Sequence, residues 1–73
     1  MHTQRLILYA IRTLQARRPD ASVLVGDIED VMRQHGRNFQ RATVQLHLKR
    51  LVDQHMLERL DQNVYRLTPA HRT

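Results

Sequence analysis

The sequence predicts a mainly α domain that ends in a small β hairpin, with three helices, a short first strand and a two-stranded final hairpin. Three observations predict it. Apolar residues recur at helical spacing in three separate segments, whereas β-branched, strand-like patterning is confined to short runs after the first segment and near the end. Gly26, Gly36, Pro19 and Pro69 are the only glycines and prolines, so the elements must fall between these marks. The chain of 73 residues is 41% hydrophobic with one Phe, two Tyr and no Trp, so a single domain with an aliphatic core is expected, ordered over residues 3–68. At this size only about 60% of the unfolded surface can be buried, which leaves stability marginal.

The first helix is expected over residues 3–17, where Leu6, Ile7, Ala10, Ile11 and Leu14 share one face and Thr3 is placed to cap the N-terminus. Pro19 disfavours helical geometry at Arg18, and residues 21–25 then read as a short extended strand. A second helix should start between Val25 and Asp27 and stop at Gly36. Its apolar stripe is Ile28, Val31 and Met32, and Asp27, Glu29 and Asp30 suit the positive end of its dipole.

After a turn through Arg37, Asn38 and Phe39, a third helix should span residues 40–54, with Val44, Leu48, Leu51 and Val52 on its buried side. His55 is expected at its C-terminal boundary, because His tolerates left-handed backbone better than most residues with a side chain. Residues 56–60 and 64–68 are strand-like and are separated by the turn chemistry of Asp61, Gln62 and Asn63. Leu57, Leu60, Tyr65 and Leu67 are expected to pack this hairpin on the helices, and residues 69–73 are expected to fray.

Twelve Lys and Arg against seven Asp and Glu give a net charge of +5, which favours a polyanionic partner, either nucleic acid or an anionic membrane surface. Cysteine is absent, so disulfides and thiolate metal sites are excluded and the cell interior is the expected location. The first apolar run is broken by Arg12 and has no small-residue cleavage site, so neither a signal peptide nor a membrane span is expected.

The order helix, strand, helix, turn, helix, hairpin is that of winged helix-turn-helix domains. Within it Asp27, Ile28, Met32, Gly36, Phe39, Ala42-Thr43-Val44, Leu48, Leu51 and Met56-Leu57 resemble the DNA-binding half of ferric uptake regulator-type repressors. That resemblance implies a winged helix fold and binding to double-stranded DNA. The family's second domain, which dimerises and senses metal, has no counterpart in these residues, so metal sensing is not implied. Where the family commonly has Tyr-Arg after Ala-Thr-Val this chain has Gln45-Leu46, so the family's operator is not implied either.

In helix-turn-helix proteins the second helix of the motif enters the major groove. Here that is the third helix, and at 100° per residue Ala42, Thr43, Leu46, Lys49, Arg50 and Asp53 face away from its buried side. Between Arg37 and Arg50 there are four Lys or Arg and no acid, and the acids of the second helix are expected to lie away from this strip. The expected contacts are Arg41, Lys49 and Arg50 to phosphate or guanine, Asn38 and Gln45 to adenine, and Thr43 to phosphate. Leu46 is expected against a thymine methyl, with Gln40 and Ala42 at the helix start and Arg59 and Arg66 on flanking backbone. Any one of these cations is most simply a solvated helix face, and it is their clustering that carries the reading.

The histidines at 2, 35, 47, 55 and 71 form no i, i+4 pair and have no acidic partner set, so no metal or other cofactor is expected. No nucleophile motif, phosphate loop or carboxylate pair appears, so no enzymatic activity is expected. The first helix mixes arginines with Leu and Ile like a membrane-binding helix, but its apolar stripe is needed for the core. Leu8 and Tyr9 are expected outside that stripe, as part of a homodimer interface. The chain therefore reads as a small transcriptional regulator on double-stranded DNA, expected in the cytoplasm at the nucleoid. The alternatives are a protein-interaction module presenting Leu46, Leu8 and Tyr9, and a replication or recombination accessory factor.

Overall fold

Helical spacing, left-handed helix exits and a late hairpin are all realised in the structure, a computed structural model that describes residues 3–71. Three helices, α1 (Thr3–Gln15), α2 (Val25–Gln34) and α3 (Arg41–Asp53), accompany three strands, β1 (Val23–Leu24), β2 (Leu57–Asp61) and β3 (Val64–Leu67). The expected N-cap, Thr3, is the first residue of α1. The hairpin expected as a separate two-stranded unit is instead part of one three-stranded antiparallel sheet, in the order β1-β3-β2. Val23 pairs with Tyr65 and Leu24 with Val64, so β1 supplies ladder partners that an isolated hairpin would lack.

β1 is shorter than the expected 21–25 stretch because both of its ends are committed elsewhere. Ala21 takes a left-handed backbone (φ 61°) and its N–H donates to the Arg18 carbonyl at 3.0 Å, while the Asp20 carboxylate accepts from the Ser22 N–H and hydroxyl. Val25 already belongs to α2, and its N–H donates to the Asn63 carbonyl at 3.1 Å.

Both α2 and α3 end in the same way. Past α2, Gly36 is left-handed (φ 74°) and donates to the Arg33 carbonyl, and the Arg37 N–H donates to Met32. Past α3, His55 is left-handed (φ 60°) and donates to Val52, and Met56 donates to Leu51. These are paired 5→2 and 6→1 closures of the last helical turn, with Met56 packing on the core beyond the second. The expectation for His55 is met.

The core is aliphatic. Leu6, Ile7, Ala10, Ile11 and Leu14 of α1 meet Ile28, Val31 and Met32 of α2, Val44, Leu48 and Leu51 of α3, and Leu57, Tyr65 and Leu67 of the sheet. Three expectations fail here. Leu60 is exposed, because it lies three residues from Leu57 and so on the other face of the strand; an irregularity between Arg59 and Asp61 also leaves it without a ladder partner. Leu8 packs against the core at intermediate exposure instead of standing clear of it. Residues Pro69–His71 form a 3-10 turn in place of a frayed end, held by Thr68, whose hydroxyl lies 3.1 Å from His71 Nδ1. Arg72 and Thr73, also expected to fray, lie outside the described residues, as does His2.

Candidate nucleic-acid interface

The outer side of α3 follows from its spacing. Val44, Leu48 and Leu51 face inward; of the other residues of α3 up to Arg50, Arg41, Ala42, Lys49 and Arg50 are exposed and Thr43, Gln45 and His47 are half-buried. Leu46 is 48% exposed, unusual for a large apolar side chain. Asn38 and Gln40, in the turn before α3, are exposed as well, and Gln40 supplies the carbonyl that accepts the N–H groups of Thr43 and Val44. Phe39 between them is partly buried against the core, with the Arg37 guanidinium 6.0 Å from its ring centroid.

The reversal at His55 sends β2 back along α3, which brings the hairpin tip to the N-terminal half of that helix. Gln45 Nε2 donates to Asn63 Oδ1 at 3.1 Å, joining residues 18 apart in sequence. Asn63 is left-handed (φ 61°), as the turn requires, and its carbonyl accepts from Val25. One turn residue thus connects the start of α2, the outer side of α3 and the hairpin.

Not every expected residue is free to act alone. Arg41 donates from Nε and Nη2 to Glu29 Oε1 on α2, at 3.1 and 2.7 Å, so one acid of the second helix does reach the basic strip. Arg66 donates from Nε to Glu58 at 2.7 Å and reaches the Asp20 carbonyl at 3.5 Å. It alternates with the buried Tyr65 and Leu67, so it lies on the sheet face turned away from the helices, apart from α3. Arg59 is exposed near the hairpin tip, where its Nε donates to the Asp61 carbonyl at 3.3 Å.

Glu29 and Asn63 are the residues that sequence reasoning missed. Asn63 was recognisable as a turn former, but its bond to Gln45 depends on where the hairpin docks. Glu29 lies 12 residues from Arg41, and no local spacing rule connects the two.

Among the described residues no three His, Asp or Glu side chains come together to hold a metal, and no helix is long and apolar enough to cross a membrane. No protein-family model, curated protein or solved structure matches the chain.

Proposed function

We propose that the protein is a sequence-specific double-stranded DNA-binding domain of winged helix-turn-helix type, a small transcriptional regulator that lays α3 in the major groove and has no enzymatic activity of its own. The observation that carries this reading is the contiguous outer surface of α3. Lys49, Arg50 and Leu46 are exposed there, while Arg41 and Gln45 stand on the flank of the helix, tied to Glu29 of α2 and to Asn63 at the hairpin tip. Exposed cations on a helix suit DNA phosphates, and a helix so placed is the kind of element that enters the major groove. The spacing that resembles ferric uptake regulator-type repressors supports the same reading.

The test is salt-dependent binding of duplex DNA measured by fluorescence anisotropy. The double variant Lys49→Ala/Arg50→Ala is expected to bind more weakly, and the slope of log K against log salt should flatten by about 0.9 for each phosphate that is no longer neutralised. Unchanged affinity and slope would remove α3 from the interface.

A second reading, a protein-interaction module or homodimer, draws on Tyr9. The residue is 45% exposed, and its ring meets that of His35 edge-on, with centroids 5.4 Å apart. Leu8 contributes less than the sequence suggests, since it already packs on the core. Sedimentation at high micromolar concentration distinguishes the two states: a homodimer through this face becomes monomeric on Tyr9→Ala, and a wild-type monomer removes the reading.

A further inference from the structure

The Arg41 to Glu29 pair is buried unevenly. The Glu29 side chain is 14% exposed and that of Arg41 is 52% exposed, so the carboxylate is sheltered while much of the guanidinium faces solvent. Both Nε and Nη2 point at the same carboxylate oxygen, which commits one edge of the guanidinium fork and leaves Nη1 on the other. Arg41 is also the first residue of α3, whose first turn contains no acid, and its Nη2 lies 3.8 Å from where a Cβ on Gly26 would stand. A cation at the start of two helices opposes both dipoles, and Glu29 offsets that cost.

Two consequences follow for an approaching polyanion. Swinging Arg41 out to a phosphate would leave a sheltered carboxylate unpaired, which favours the guanidinium position held by Glu29. The pair is also close to neutral, so Arg41 adds little to sequence-independent attraction while keeping directed donors. We propose that Glu29 is a specificity-determining residue. It holds Arg41 as a fixed hydrogen-bond donor for one arrangement of acceptors on DNA and withholds its charge from indiscriminate phosphate binding. This rests on the DNA-binding reading above and names a residue that does not itself touch the DNA.

The experiment compares the wild type, Glu29→Gln, Arg41→Gln and the double variant on two duplexes: one selected by the wild-type protein from a random pool, and its scrambled counterpart. Glu29→Gln is expected to bind the scrambled duplex roughly three- to tenfold more tightly and to steepen its salt slope by about 0.9, as one more cation becomes available to phosphate. The ratio of scrambled to selected Kd should fall accordingly, and the double variant should match Arg41→Gln alone, since Glu29 acts through Arg41. Urea unfolding of each variant separates this from a purely structural role. If Glu29→Gln leaves both affinities unchanged, or weakens both in proportion with a lower unfolding midpoint, the proposal fails while DNA binding stands. If the wild type selects no duplex and binds none, the DNA-binding reading fails and this proposal with it.

Discussion

His55 shows how a single backbone angle sets the geometry of the candidate site. Its left-handed conformation ends α3 and turns the chain into β2, and the Thr68 hydroxyl donates to its carbonyl at 2.9 Å. A residue with a Cβ is strained there by roughly 1 kcal/mol relative to glycine, so His55→Gly is expected to stabilise the domain by up to about that amount in urea unfolding. Gly36→Ala should cost a similar amount, because it places a Cβ on a backbone with φ of 74°. In the core, Leu48 is fully buried, and Leu48→Ala is expected to cost about 2–5 kcal/mol, enough to unfold much of the population of a small domain. Asp20 supplies a pH signature. Hydrogen bonds from the Ser22 hydroxyl and then the Ser22 N–H hold its carboxyl below the ordinary value, so its share of stability is present above the unfolded-state pKa and is lost as pH falls through the lowered one. Ser22→Ala removes the larger of these bonds and should raise the Asp20 midpoint in an NMR titration.

At the scale of elements, the helices were legible because their apolar spacing survives unaltered in the structure: every residue placed on the inner side of α1 is buried. Gly36 and His55 were legible as stops because their chemistry is local. The sheet was less so. Leu57 and Leu60 both looked like core residues by hydropathy, yet strand periodicity puts them on opposite faces, and the irregularity beside Arg59 does not turn Leu60 inward. The pairing of Val23 with Tyr65 has no local signal at all, since hydropathy reports burial and not partners. The same holds for Asn63, whose role is to dock three elements. Asn63→Gly keeps the turn and loses the Gln45 bond, whereas Asn63→Ala loses the bond and strains the backbone. The alanine variant should therefore be the less stable by about 1 kcal/mol in urea unfolding.

For the molecule as a whole, charge composition favoured a polyanionic partner, but the fold decides which cations can act together. Lys49 and Arg50 share the outer side of α3, Arg41 stands on its flank already paired with Glu29, and strand parity puts Arg66 on the far face of the sheet, where it pairs with Glu58. An Arg66→Ala variant should consequently change duplex affinity much less than Lys49→Ala/Arg50→Ala when both are measured at the same salt concentration. The composition that suggested a nucleic-acid partner could not foresee this division, because it depends on strand parity and on an acid 12 residues away.

The strand order has a consequence in time. The central strand of the sheet, β3, is also the last strand in sequence, so β1 and β2 have no ladder partner until residues 64–67 have left the ribosome. Translation therefore makes α1, α2 and α3 before the strand that closes the sheet, and the hairpin tip can dock on α3 only once β3 is free to pair.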